Sequence, residues 1–442
     1  GERTARAEII LDVDDDERVA VRVDGRNRWH GAQLPIAAGM RQYRRSTPVK
    51  EKRMSNRREF IGASAAVAAA AVVPLPALAA KGPIRVGAVL PFSGGLELFG
   101  NQAKIGIDLA VAEINAAGGI LGSKVEVLYQ DNKTDPKTSV ERTTQLIQRD
   151  KVIAVTGPIT SSARDAMLPA HRRLKTPLLY ATNYEGGACD RYVFSFNTVP
   201  NQELERLLPE LVKRAGNTFY LFGADYVWPQ KMFEQAEALI KGLGGRVVGK
   251  EFVPFGTREF TPIVRRIKDS GAKVVLKALP GADGITFIKQ AEDFGLMKDV
   301  TVGFLGFAET YLGAFGPGKG QNMWVTVPFA ASIDDPKVKD FVARVRKAAG
   351  NDVPISHYVM THYNVMKSIE AALRKTGKAD RESLVNGLEG LAIEIPTGPM
   401  TIGKDDHHVT MNMYLARTEG AGLTVVQPMG ALAPQAGCAK KK

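Results

Sequence analysis

The chain reads as an α/β protein built from two doubly wound parallel sheets, and three observations predict it. Residues 84–182 run strand, helix, strand, helix, strand, helix, strand, with apolar runs alternating against segments of helical periodicity. Residues 218–307 repeat that plan. With 442 residues, 44% of them hydrophobic, the chain also exceeds what one core usually serves.

The elements follow in order. IRVGAVLPFSG is an apolar strand that ends in a polar, Gly-containing loop. In NQAKIGIDLAVAEINAAGG, Ile105, Leu109 and Ala112 share one side of a helix, and Ile107, Val111 and Ile114 share another. Gly118-Gly119 stops it. KVEVLYQD is a strand, TDPKTSVERTTQLIQRD a helix, VIAVTGP a strand, 162–174 a helix and PLLYAT a strand. Each helix must carry the chain back across the sheet, so the strands run parallel with helices on both faces. Ligands of such sheets bind at the carboxyl ends of the strands, which directs attention to the loops after Leu90, Gly157 and Tyr180.

The second half opens on the strand TFYLFGADYVW, with a helix over 229–243 and the strand GRVVGKEFVPF. REFTPIVRRIKDSG is a helix closed by Gly271, KVVLKALPG a strand, ITFIKQAEDFG a helix and VTVGFLGF a final strand. From about Val327 the pattern changes to VPFAASIDDP and a long helical run, including HYVMTHYNVMKSIEAALRKTG and ADRESLVNGLEG. GPMTIG, VTMNMYLART and GLTVVQP then read as three short strands in a meander.

Ahead of all this lies an export signal. SNRREFIGASAAVAAAAVVPLPALA follows Met54 with the pair Arg57-Arg58, Phe60 and an apolar run that closes on Ala77-Leu78-Ala79. That is the pattern of a twin-arginine signal peptide over 54–79, cleaved after Ala79. Its apolar run is shorter than the roughly 20 residues a bilayer span needs. Residues 1–53 precede a natural start residue and are read as an over-called extension. The alternation in AEIILDV and RVAVRVD leaves a small strand module as the alternative.

Residues 1–80 hold 14 of the 59 Lys and Arg and 10 of the 47 Asp and Glu; the remaining 45 and 37 leave the exported chain at +8. The charge is dispersed, and His171-Arg172-Arg173 and Arg265-Arg266 fall on predicted helices, so solvated helix faces are expected rather than nucleic-acid contacts. The two cysteines, Cys189 and Cys438, are bound for an oxidising compartment; a bond between them is open, Cys438 lying in a Gly/Ala/Lys tail over 431–442.

LPFSGG, EINAAGGILGSKVEV, QDNKTDP, VIAVTGPITSSARDAMLP and KTPLLYATNYEG together resemble the type I periplasmic binding proteins of the Leu/Ile/Val-binding kind, the solute receptors of ABC importers. TNYEGGAC, TVPNQELE, GADYVWPQ and DDHHVT are most similar to the short-chain amide and urea receptors of that family. The resemblance spans about Ile84 to Gln427. It implies two lobes, 82–200 with 330–393 and 201–329 with 394–430, joined by a three-strand hinge with crossings near Pro200, Pro328 and Pro396.

Seven residues are candidates for ligand binding. Ser161 follows the strand VIAVTGP at a helix start, where a hydroxyl and free N–H groups suit a carboxylate or amide oxygen and equally suit plain capping. The resemblance aligns Ser161, Tyr180 and Thr182 with ligand-contacting positions of the amide receptors. Asn183 departs from that motif's Pro, Ile159 replaces a ligand-lining Tyr, and Glu185 reads as a loop-fixing or ligand residue. Tyr226 and Trp228 follow TFYLFGAD one residue apart, on one face of an extended segment. Asp283 and Glu309 stand at two further strand ends and can hold an ammonium or an amide N–H.

No metal, cofactor or catalytic residue is expected. GPGKG at 316–320 lacks the spacing of a phosphate loop, and His357 and His362 are five apart, where shared ligation on a helix prefers four. No G-x-S-x-G elbow is present. The expectation is therefore a periplasmic receptor, monomer or weak dimer, that hands a small polar solute to an ABC permease. A short amide or urea-like compound comes first as ligand, then a branched-chain or other small amino acid, then an aromatic carboxylate. The alternative is a periplasmic sensor of the same fold that partners a signalling protein.

Overall fold

The computed structural model describes residues 82–438 and, nearer the N-terminus, the backbone of β1 (Leu11–Val13), β2 (Val19–Val23) and β3 (Arg26–Arg28). The chain divides into a unit of residues 1–73 and one of 74–442. In the first, β1, β2 and β3 form an antiparallel sheet on the stretch where AEIILDV and RVAVRVD alternate. The signal-peptide reading of 54–79 falls outside the described residues.

The second unit begins with β4 (Ile84–Leu90), α1 (Glu97–Ala116), β5 (Val125–Asp131), α2 (Pro136–Gln148), β6 (Ala154–Thr156), α3 (Ser161–Arg173), β7 (Leu178–Tyr180) and β8 (Val193–Ser195). These strands form an all-parallel sheet in the order β5-β4-β6-β7-β8. Six of the seven residues of β4 are buried, so it reads as a continuous apolar run, as strands covered on both faces do. α2 starts where the Asp135 carboxylate accepts the Thr138 N–H at 2.6 Å and Pro136 fills the first turn.

Then come α4 (Pro200–Ala215), β9 (Thr218–Ala224), α5 (Val227–Gly242), β10 (Arg246–Val253), α6 (Thr261–Asp269), β11 (Val274–Ala278), α7 (Gly281–Asp293), β12 (Thr301–Phe304), α8 (Thr310–Phe315) and β13 (Trp324–Val327). Their strands lie in the order β10-β9-β11-β12-β13, the same winding as the first sheet. The expected last strand of this sheet is thus not the last, because WVTV adds β13 beyond it.

The helices α9 (Pro336–Ala349), α10 (His357–Thr376) and α11 (Arg381–Leu388) return to the first sheet, where α10 packs along α1. The chain ends in β14 (Ala392–Ile395), β15 (Gly398–Ile402), β16 (Val409–Glu419) and β17 (Gly422–Leu432), four antiparallel strands where three short ones were expected. The β14–β15 hairpin stays with the first layer: Lys337 pairs with Glu394 at 2.8 Å, and the His407 ring beyond it stacks on Phe194 of β8. β16 starts against β15 and ends against β13, so β16 itself is the third passage between the layers. Pro396 occupies the tight turn of the β14–β15 hairpin instead of a crossing.

The tail is built into the fold. Cys189 and Cys438 are joined by a disulfide, the Gly187 N–H donates to Ala436 O at 2.7 Å, and Ala436 is 5% exposed. The loop 183–190 is thereby pinned by a segment 249 residues away.

Candidate ligand-binding cleft

Each sheet reverses its winding at one place, between β4 and β6 in the first and between β9 and β11 in the second. Such switch points open a crevice at the carboxyl ends of the flanking strands. Here the two crevices face each other across one small void of about 20 Å³, room for about one water. From the first layer it is lined by Ile159 and Ser161 after β6, Thr182 and Asn183 after β7, and Phe99 and Tyr358 from the first turns of α1 and α10. From the second it is lined by Tyr226 and Trp228 after β9, Pro280 after β11 and Gly306 after β12.

The layers are closed on each other. The Ala282 N–H donates to Gly95 O at 3.1 Å, and the Gln235 side-chain amide donates to Glu185 O at 3.1 Å. Gly281, at φ +69°, sits where a Cβ would come within 2.3 Å of Gly95 O, so the approach requires glycine.

Aromatic rings make most of the wall. Phe99 and Tyr358 meet edge to face at 4.8 Å on one side, and Tyr226 and Trp228 lie 6.2 Å apart on the other. The indole is backed by Gly306, which has φ +69° and would place a Cβ 3.0 Å from the ring. Trp228 is 4% exposed, and its Nε1–H is buried without a hydrogen-bond partner. An unpaired buried donor costs roughly 1–3 kcal/mol, which a ligand oxygen would recover.

The hydroxyl groups are oriented from behind. The helix cap of α3 is Thr160, which accepts the Ala163 N–H, and this leaves Ser161 free of capping duty. The Ser161 hydroxyl donates to Glu185 Oε2 at 2.7 Å, and Thr182 donates to Pro158 O at a looser 3.3 Å. Asn183 Oδ1 accepts the Tyr358 hydroxyl at 2.8 Å. Behind Asn183, burial pushes the Glu203 carboxyl up to about 7, against the hydrogen bonds of Thr198 and Asn183.

Of the seven candidates from sequence, the structure brings Ser161, Thr182, Tyr226 and Trp228 to one cavity and places Tyr180, Asp283 and Glu309 off it. Tyr180 stands behind the wall, its hydroxyl donating to Ile159 O at 2.9 Å and its ring facing Arg164. Asp283 accepts the Gly256 N–H at 2.8 Å and so fixes the loop after β10. Glu309 is buried with both carboxylate oxygens unpartnered, and burial raises its carboxyl to about 8. Phe99, Pro280, Gly306 and Tyr358 were not among the candidates. Tyr358 lies in a helix buried on nearly every side, so no strand-end loop announces it.

Among the described residues, no cluster of His, Cys, Asp and Glu fits a metal ion. The lining also carries no carboxylate and no cationic side chain. Rings, hydroxyls, one amide and an indole N–H converge here on groups that suit a small flat molecule, which needs the layers further apart than they stand in this structure.

A profile described as periplasmic binding protein matches residues 83–422. The chain is 30% identical over 361 residues to Leu/Ile/Val-binding protein homolog 6 of Brucella suis biovar 1, an alignment covering 79% of this chain and 91% of the relative. It is similar in structure to an ABC transporter solute-binding protein from R. palustris in complex with 4-hydroxybenzoate, with TM-score 0.72, 26% identity and coverage of 80% and 98%. The branched-chain amino acid transporter substrate-binding protein of Streptococcus pneumoniae, in complex with isoleucine, shares the fold at TM-score 0.69, 22% identity and coverage of 80% and 100%.

Proposed function

The chain belongs to the periplasmic binding protein family, whose members are solute-binding receptors and not enzymes, and from that premise we propose that it captures a small, flat, uncharged amide or urea-like solute for an ABC permease. Family membership implies the periplasm; export through the twin-arginine signal over 54–79 is part of the proposal.

The observation that carries the ligand reading is the cavity wall, whose polar groups are all neutral. An amino acid enclosed here would bury its ammonium with no carboxylate on the wall, since Asp283 and Glu309 are engaged or sequestered elsewhere. Burying an unpaired charge costs far more than burying a neutral amide that finds its hydrogen bonds. An amide oxygen suits the unpartnered Trp228 Nε1–H, and the flat group suits the ring walls. Closure would then exclude water from those hydrogen bonds and present the closed form to the permease.

A second reading is an aromatic carboxylate. It is favoured by the ring-lined walls and by the 4-hydroxybenzoate bound to the relative from R. palustris. Calorimetric titration with propionamide, benzamide, urea, benzoate and isoleucine separates the readings. Amide or urea binding supports the proposal; tighter binding of isoleucine or benzoate overturns it.

A further inference from the structure

Ser161 has one hydroxyl proton, and the structure shows where it goes. The Glu185 carboxylate can only accept, and it lies 2.7 Å from the Ser161 oxygen. Glu185 is itself fixed on every side. Its other oxygen accepts from Arg164 Nη2 at 2.7 Å, both side chains being less than a tenth exposed. The Arg164 guanidinium cannot swing away, because it also donates to Asp165 and lies 4.5 Å from the centre of the Tyr184 ring. The Glu185 main-chain oxygen is held from α5 by Gln235, and the following loop is held by Ala436 and the disulfide.

We propose that Glu185 is a specificity-determining positioning residue: by taking the Ser161 proton it turns Ser161 into an acceptor toward the ligand, so that the cavity selects solutes that present N–H over isosteric carboxylates. The Ser161 oxygen has two lone pairs, and one is loosely used by Arg164 Nη1 at 3.4 Å. The other remains for an amide N–H. Thr182 is turned the same way by Pro158 O. A carboxylate in this place meets two oxygen lone pairs and no proton from either hydroxyl, whereas an amide satisfies both kinds of group at once. Glu185 touches no ligand in this scheme; it acts through Ser161. This inference rests on the amide reading above.

The test is a double-mutant cycle on the isosteric pairs benzamide with benzoate and propionamide with propionate. In Glu185→Gln, the side-chain oxygen still accepts from Arg164 while the new NH₂ donates to Ser161, which frees the serine proton for the cavity. The ratio of amide to carboxylate affinity should fall by about tenfold or more, the worth of roughly one hydrogen bond reversed. In a Ser161→Ala background the same Glu185→Gln change should leave the ratio unmoved. A ratio change that persists without the Ser161 hydroxyl would be a field effect of the lost charge and would overturn the proposal. An unchanged ratio in the single variant would overturn it too. Ser161→Ala keeps Glu185 and Arg164 paired, so it remains informative if Glu185→Gln folds poorly; it should weaken the amides and spare the carboxylates, and equal weakening of both would count against the proposal. Wild-type protein that prefers the carboxylate of either pair, or binds no member of them, instead defeats the amide reading itself.

Discussion

Tyr358, in the first turn of α10, donates its hydroxyl at 2.8 Å to Asn183, the third residue beyond the end of β7. The bond ties a helix that the chain adds after its second sheet to a loop of its first, and both partners line the cavity. Tyr358→Phe should leave the fold intact but strand the Asn183 oxygen. Stability should drop by about 1–3 kcal/mol, and ligand affinity should fall severalfold. Denaturant unfolding and titration calorimetry on the same variant check both.

Trp228 supplies a wall and a donor, and the two can be separated. Trp228→Phe keeps the ring and loses the Nε1–H, so affinity for an amide should fall by roughly two- to tenfold. Trp228→Ala removes the wall as well and should cost more than that. Wild-type affinity in Trp228→Phe would mean that the indole N–H does not meet the ligand, and equal affinities of the two variants would mean that the ring wall adds nothing.

Gly306→Ala tests how the indole is seated. The added methyl lies 3.0 Å from the ring at a backbone φ of +69°, so both strain and displacement follow. A loss of about 1–3 kcal/mol in unfolding free energy is expected, together with a blue- or red-shifted Trp fluorescence maximum.

Burial also sets a pH dependence. Glu203 and Glu309 have folded carboxyl pKa values raised from the ordinary 4.5 to about 7 and about 8. A raised carboxyl binds more protons folded than unfolded, so its contribution is full below 4.5 and is lost as pH rises through the folded value. His171, His357 and His362 are buried with pKa values lowered to about 4, 3 and 4, so they oppose this below 6.5 and are silent above it. Between pH 6.5 and 8 the two carboxyls dominate, and stability should fall. Glu309→Gln should flatten that slope, which unfolding curves at stepped pH will show.

The disulfide between Cys189 and Cys438 closes a loop of 249 residues. Cys189→Ser with Cys438→Ser should lower unfolding stability by about 2–4 kcal/mol while leaving the amide-to-carboxylate preference in place. A preference that shifts with the bond broken would show that the strap positions Glu185.

Much of the fold was legible because covered parallel strands such as IRVGAVL and KVVLKA read as unbroken apolar runs between amphipathic helices. WVTV escaped because four residues beside a Pro give too little pattern to mark a strand. The passage through β16 escaped because GPMTI, which looks like part of the final meander, packs with the first layer instead. At the site, Tyr226 and Trp228 were legible from their place after a strand. Asp283 sits at an equivalent place and yet serves the Gly256 N–H, and nothing in local sequence distinguishes an acid that holds a loop from one that holds a ligand. Tyr358 comes to the cavity only through the packing of α10 on α1, which no local pattern encodes.

Capture of a neutral amide is checked by a thermal-shift comparison of the purified protein with benzamide, urea, benzoate and isoleucine at equal concentration. A ligand at about 100 times its dissociation constant adds roughly 2.7 kcal/mol, enough for a shift of several degrees. Benzamide or urea should raise the melting temperature most. A larger shift with isoleucine, whose ammonium has no anionic partner on this wall, would contradict it.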